Sequence, residues 1–386
     1  MSALPFALRH LTAAACLLLL AACGGGDAEP AKGADSAASA HAAGAEEPVL
    51  NVYNWSDYIA PDTIANFERE TGIKVRYDVF DSNEVLEAKL LAGNTGYDIV
   101  VPTANFVARQ IKAGVFQPLD RHLLTNYGNL DPTVLKALAA YDPDNRYAVP
   151  YLWSTTGFGY NVTKVRERMP DAPVDSWRLL FDPAVVAHFK DCGVSLLDAP
   201  SEVVPAMLRY LGLPTDSQSE ADLAKVEQAL AAMRAQVRYF HSSQYLNDLA
   251  AGEVCVAMGW GGDVFQARSR AREAGQGTDI AYVIPREGAM IAADTMAIPK
   301  DAPHPQNAHR FIDYVLRAEV AAAISNTIGY ANANLASTPL LDPALAADKS
   351  VYPDDAVRTT LFPSVVNTPA YDRLLTRAWT RVKTHQ

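Results

Sequence analysis

The chain has 386 residues, 49% hydrophobic, 20% charged and 9% aromatic, enough for two ordinary domains with sizeable cores. That make-up excludes disorder and collagen-like structure for its bulk. With 33 basic against 44 acidic side chains its formal charge is -11, which repels phosphate backbones, so nucleic acid is set aside and a small cation is the easier ligand.

Arg9 and His10 precede an apolar run over residues 11–22 that ends at Cys23. The run is shorter than the ~20 apolar residues of a spanning helix and has the flanks of a secretory signal. Its end, Leu20-Ala21-Ala22-Cys23, resembles the lipobox of bacterial lipoproteins. That resemblance implies a signal peptide over 1–22 and a lipid on Cys23; an uncut anchor or an ordinary signal cut nearby are the alternatives. The stretch 24–48 is mostly Gly, Ala, Ser, Asp and Glu, with too little apolar surface to offset ordering entropy. Residues 23–48 are therefore expected to form a lipidated flexible tether. Cys16 goes with the signal, which leaves Cys192 and Cys255 in an oxidising compartment. A disulfide is expected there; two buried free thiols are the alternative.

From residue 49 short apolar strands alternate with amphipathic helices. Residues 50–53 read as a strand. Pro61 opens a helix with Ile64 and Phe67 on one face and Gly72 as its stop. Residues 73–80 form a second strand, and Ser82 or Asn83 caps a helix that carries Val85, Leu86, Lys89 and Leu90 and ends at Gly93. A third strand covers 97–101. This order predicts right-handed crossovers and a mostly parallel sheet. Further strands are expected at 147–152, 193–197, 237–240, 254–260 and 280–285. Helices are expected over about 201–211, 221–235, 244–250 and 264–274, with mainly helix from His304 onward. Two α/β lobes are more natural than one sheet of that size. No short-period repeat is visible, which excludes a solenoid.

The sequence holds no G-x-S-x-G, Walker A, H-E-x-x-H or complete G-x-G-x-x-G. Gly157-Phe158-Gly159 and Gly259-Trp260-Gly261 read as turn fragments, and His304 and His309 lie off a common helical face. No metal site or cofactor is expected. An exported hydrolase with a carboxylate pair stays open on composition, since sequence does not measure carboxylate spacing. What recurs is an acid beside an aromatic at the end of a strand: Trp55-Ser56-Asp57-Tyr58, Asp198 to Glu202, and Trp260-Gly261-Gly262-Asp263. Asp294 sits in a later extended stretch, and Tyr330 precedes Ala331-Asn332. Ligands of open α/β sheets bind outside the carboxyl ends of strands. Singly, each residue has a structural explanation, such as a helix-start acid or a core Trp; together they point to a site.

Long strings carry a family resemblance: residues 52–63 (VYNWSDYIAPDT), 77–87 (YDVFDSNEVLE), 113–120 (AGVFQPLD), 238–245 (RYFHSSQY) and 330–334 (YANAN). In these the chain resembles bacterial polyamine-binding proteins of the putrescine type, the extracytoplasmic receptors of ABC importers. The resemblance implies a two-lobed α/β fold of the periplasmic-binding-protein type II class, closing on ligand in the cleft between lobes. Lobe one would span 49–150 plus 286–330, and lobe two 151–285 plus 331–386. It implies no enzymatic activity and a Cys192–Cys255 disulfide. Its implied partners are a small polyamine and an ABC permease, with membrane attachment only through the lipid on Cys23, a periplasmic location and a monomeric state.

The implied ligand contacts are Trp55, Ser56, Asp57, Tyr58, Thr103 (for a serine), Glu202, Trp260, Asp263, Asp294 and Tyr330. Carboxylates would receive alkylammonium groups, and aromatic rings would flank the methylene chain. Two departures stand out. Ala292 and Ala293 occupy positions where the family usually has aromatics, and Val365 occupies that of a lysine. Their expected consequence is a wider pocket, unless Met290 or Met296 fills the space. A receptor of the same fold for another cationic solute, in transport or sensing, is the second reading.

Overall fold

The computed structural model describes residues 46–275 and 277–384. The expected signal, the lipidated Cys23 and the tether through residue 45 lie outside the described residues. Residues 46–48, read from sequence as tether, lie on the body. There the Glu46 carboxylate accepts the backbone N–H groups of Gln306 and Asn307 at the start of the helix Pro305–Val315.

Among the described residues eleven strands follow in chain order: β1 Val49–Trp55, β2 Lys74–Phe80, β3 Ile99–Val100, β4 Ala148–Asn161, β5 Val194–Leu196, β6 Tyr239–Phe240, β7 Val256–Trp260, β8 Ile280–Val283, β9 Met290–Ala297, β10 Ala331–Asn332 and β11 Phe362–Pro363. Hydrogen bonding joins them in the order β2-β1-β3-β9-β4-β7-β5-β6, with β8 and β10 on β4 and β11 on β9. The alternating helices cover the sheet as the apolar spacing predicts. Thr63–Thr71 ends at Gly72, whose φ of 73° is the left-handed cap that glycine adopts freely. Asn83–Ala92 starts at Ser82, whose hydroxyl accepts the Val85 N–H.

The expectation of a mostly parallel sheet needs correction. β1 pairs in parallel with β2 and β3, and β5 with β6 and β7. In between, β4 pairs antiparallel with β7, β8, β9 and β10, so the sheet is mixed. The cause is β4 itself, which runs on to Asn161 instead of ending near 152. The Gly157-Phe158-Gly159 fragment is therefore strand and not turn. A Cβ on Gly157 would stand 2.1 Å from the Val283 carbonyl oxygen, so only glycine admits β8 alongside.

Two large hydrophobic cores lie along this sheet, beside a small third cluster of Ala331, Leu345 and Val351. One gathers Leu50, Val52, Phe67, Ile99, Leu152, Met296, Ile312 and Ile324 around β1, β3 and the ends of β4 and β9. The other gathers Phe158, Trp177, Leu196, Met207, Tyr245, Met258 and Trp379 around β5 and β7. β4 passes from one to the other, Leu152 packing in the first core and Phe158 in the second. Trp260, at the end of β7, packs against both. Cys192 and Cys255 form a disulfide in the second core, with Cα atoms 5.6 Å apart. Among the described residues no helix is long and apolar enough to cross a membrane.

Candidate ligand-binding site

Between the two cores lies a small cavity of about 40 Å³. Chain turns at strand and helix ends supply its walls. Trp55 closes β1, and its Nε1 donates to the Val101 carbonyl at 2.8 Å, which fixes the indole plane. The backbone then turns through Asp57 at φ 55°, a left-handed conformation that Asp tolerates, and delivers Tyr58 to the cavity. Thr103 precedes the helix Ala104–Lys112, and Glu202 lies in the first turn of the helix Pro200–Tyr210. Asp263 lies in the first turn of Gly261–Glu273, where the helix dipole favours a carboxylate. Gly262 is obligatory in that turn, because a Cβ there would stand 2.0 Å from the Tyr330 ring.

All ten residues singled out from sequence, Trp55, Ser56, Asp57, Tyr58, Thr103, Glu202, Trp260, Asp263, Asp294 and Tyr330, line this one cavity. Asp294 accepts the Thr103 hydroxyl at 2.6 Å and the Tyr58 hydroxyl at 2.7 Å. Asp263 accepts Tyr330 at 2.6 Å and Tyr245 at 2.7 Å. Glu202 accepts the Thr156 hydroxyl at 2.6 Å. The aromatic walls brace one another: Trp55 and Trp260 meet edge-on at 5.6 Å, and Tyr58 and Tyr330 at 4.6 Å.

No lysine or arginine forms an ion pair with Glu202, Asp263 or Asp294 among the described residues. Burial pushes the Glu202 carboxyl up to about 8 and those of Asp263 and Asp294 up to about 6, against the hydroxyl bonds that lower them. Three carboxyls held by neutral donors, Glu202 and Asp263 buried and Asp294 half-buried, form a site short of positive charge. Asp57 differs. Its side chain is exposed, and Oδ1 lies 2.6 Å from Arg270 Nη2.

Sequence reasoning overlooked Phe80, Asp81, Ser154, Ser242 and Ser243 in the cavity wall, while Ala292, singled out as a departure, does line it. Asp81 follows Phe80 at the end of β2, so the strand-end rule applied evenly would have found it; Ser242, just past β6, is no acid and falls outside that rule. Tyr245 and Thr156, which hold the acids, carry no local signal. Asp198, grouped with the strand-end acids, sits elsewhere, with both carboxylate oxygens on Lys383 Nζ at 2.8 Å. Ala292 faces Ser154 across the β4–β9 pair, while Ala293 faces Trp153 one position along. A second cavity of about 670 Å³ is lined by Ala292, Ala293, Trp153 and Tyr352. Met290 and Met296 are buried and line neither cavity. No cluster of His, Cys, Asp and Glu among the described residues has metal-site geometry.

The sequence model of the family described as bacterial extracellular solute-binding protein matches residues 62–353. The putrescine-binding periplasmic protein PotF of Escherichia coli (strain K12) is 53% identical over 353 residues, 91% of this chain and 95% of that protein. The putrescine/agmatine-binding protein of Pseudomonas aeruginosa is 47% identical over 349 residues, 90% of this chain and 95% of that protein. Among solved structures, the spermidine/putrescine ABC transporter substrate-binding protein PotD of Streptococcus pneumoniae superposes with a TM-score of 0.69. The two are 27% identical, and the match covers 87% of this chain and 99% of the other. The two-core α/β architecture and these matches agree: the chain belongs to the bacterial extracellular solute-binding proteins, a family of transport receptors and not of enzymes.

Proposed function

We propose that this protein captures an aliphatic di- or polyamine outside the cytoplasm and presents it to an ABC-type permease. The observation that carries this reading is the set of three carboxyls, buried Glu202 and Asp263 and half-buried Asp294, bonded to hydroxyls and to no cation, in a narrow slot walled by Trp55, Tyr58, Trp260 and Tyr330. Buried charge demands a partner, and an alkylammonium supplies both charge and several N–H donors. The rings suit methylene groups between the charges and add cation–π attraction near their ends. The names of the relatives lend support to the same ligand class.

Lobe one, 49–150 plus 286–330, and lobe two, 151–285 plus 331–386, act as jaws in this reading. A dication that touches Asp294 on one side and Glu202 and Asp263 on the other stabilises the closed form over the open one. Lipid on Cys23, after removal of 1–22, holds a monomeric receptor to a membrane. With only a methyl group at Ala292 in its wall, the site accepts amines longer or bulkier than putrescine.

Native mass spectrometry of the gently purified protein, followed by thermal-shift titration with putrescine, cadaverine, agmatine and spermidine, tests the assignment. Saturable stabilisation by amines recovered unchanged is expected. No shift with any of the four refutes amine capture, consumption of the amine refutes the receptor role, and a sharp preference for putrescine alone refutes the broader site.

A further inference from the structure

One acid of the cavity wall has no partner among those described so far. Asp81 follows Phe80 at the end of β2 and lines the same cavity as Glu202, Asp263 and Asp294. Those three accept hydroxyl hydrogens, and Asp57 pairs with Arg270. No lysine or arginine pairs with Asp81 among the described residues. The base beside it is His241, whose Nδ1 lies 3.9 Å from Asp81 Oδ2. That nitrogen accepts the backbone N–H groups of Ser243 and Gln244, both at 3.1 Å, so it offers Asp81 no hydrogen.

Exposure places Asp81 where the cavity meets solvent. Its side chain is 38% exposed and that of His241 42%, whereas Glu202 and Asp263 are each 6% exposed. A row of rings leads to it from Trp260, three residues before Asp263. Trp260 meets Trp55 at 5.6 Å, and Trp55 meets Phe80 at 4.6 Å. The Ser56 N–H donates to the Phe80 carbonyl at 3.1 Å, which sets Asp81 beside the turn after β1. All three rings line the cavity, as do Ser56 and, next to His241, Ser242 and Ser243.

We infer that Asp81 is a specificity-determining residue, which receives the third ammonium of a linear triamine where the chain leaves the cavity. The inference rests on the amine-capture reading above. The two charges of a diamine are met by Glu202, Asp263 and Asp294. A longer amine lays further methylene groups along the ring wall and brings its next ammonium to a carboxylate with acceptor sites to spare. Because Asp81 is open to water, it stays solvated when no third charge arrives, so it carries no desolvation cost for a diamine.

Calorimetric titration of wild type and Asp81→Asn with putrescine and with spermidine tests this. Asn keeps the size of the side chain and removes its charge. Putrescine affinity is expected to stay within about twofold, and spermidine affinity to fall about fivefold, as for an ion pair partly open to water. Equal losses for the two amines overturn the assignment, since Asp81 then acts on the protein and not on the third charge. No loss for spermidine overturns it too, as does wild type binding putrescine but not spermidine. Wild type binding neither amine instead removes the reading beneath it. Should the variant not fold, a crystal structure of wild type with spermidine decides: a nitrogen about 3 Å from an Asp81 carboxylate oxygen supports the assignment, and every nitrogen placed elsewhere overturns it.

Discussion

Arg270 pairs with Asp57 of the cavity wall, its Nη2 2.6 Å from Oδ1, while Gln266 Nε2 donates to the Asp57 carbonyl at 3.1 Å. Asp57 belongs to the turn after β1, and both partners belong to the helix Gly261–Glu273, so the contact joins the elements of one core to those of the other. With its carboxylate held this way, Asp57 is better placed to latch the cleft than to take an ammonium. Both side chains are more than one-third exposed, at 37% and 38%, so the pair contributes at most about 1 kcal/mol. Asp57→Asn and Arg270→Gln are each expected to weaken putrescine binding by no more than about fivefold, and the double variant no more than either single one. A double-mutant cycle by calorimetry checks it. A much larger loss in Asp57→Asn alone returns Asp57 to direct ligand contact.

Asp263 stands in a different environment. It is buried, anchored by two tyrosine hydroxyls, and has no cation of its own. Replacing it by Asn removes a charge-assisted bond together with ionic attraction. The expected loss in putrescine affinity is about 1.5–3 kcal/mol, roughly ten- to a hundredfold. The ligand-free protein is expected to melt no lower, because a buried and uncompensated carboxyl is gone. Calorimetry and a melting curve on the same preparation measure both. Retained affinity excludes Asp263 from the ligand shell.

The local grammar of the fold was legible in sequence because it is written in neighbouring residues. Gly72, Ser82 and Pro61 punctuate the first helix and strand pairs, and the structure places their elements within a few positions of the reading. Strand-end acids beside aromatics, filtered by the family resemblance, led to residues that all face one cavity. What escaped the reading was long-range. That β4 continues through Gly157 follows from the arrival of β8, more than a hundred residues later. Tyr245 supports Asp263 from a separate helix, and Glu84 meets Ser201 across a sequence separation of 117. No local period encodes such pairings. Asp198 shows the converse, since its strand-end position matched the rule while Lys383 and Trp379, far along the chain, claim its carboxylate.

The raised carboxyls set a pH dependence with a definite sign. Glu202 moves from 4.5 up to about 8, and Asp263 and Asp294 from 3.8 up to about 6. Stability from these groups is therefore full below their unfolded values and is lost as pH rises through about 6 and then about 8 in the ligand-free protein. Binding runs the other way, since the cation needs ionised partners and alkylammonium groups keep their charge throughout. Affinity is expected to rise from pH 5 to pH 8, and near pH 7 capture is expected to expel up to about one proton, chiefly from Glu202. Calorimetry in two buffers of different ionisation enthalpy reads that proton directly. Proton uptake, or affinity that falls as pH rises, contradicts the scheme.

The disulfide gives the last test, because it separates folding from recognition. Cys192 and Cys255 close a loop of 63 residues and tie the approach to β5 to the residue before β7, two strands that pair in parallel. Loop closure of that length constrains the unfolded chain by about 4 kcal/mol. Trp260 ends β7 and Asp263 lies three residues on, where Tyr245 accepts the Trp260 N–H at 3.1 Å and donates to the Asp263 carboxylate at 2.7 Å independently of the bridge. A variant carrying Cys192→Ser and Cys255→Ser is expected to melt roughly 6 °C lower, yet to bind putrescine within about twofold of wild type at a temperature where it is folded. Melting curves and titration at 15 °C check both halves. An unchanged melting temperature refutes the structural role, and lost binding by folded protein shows that the bridge also shapes the site.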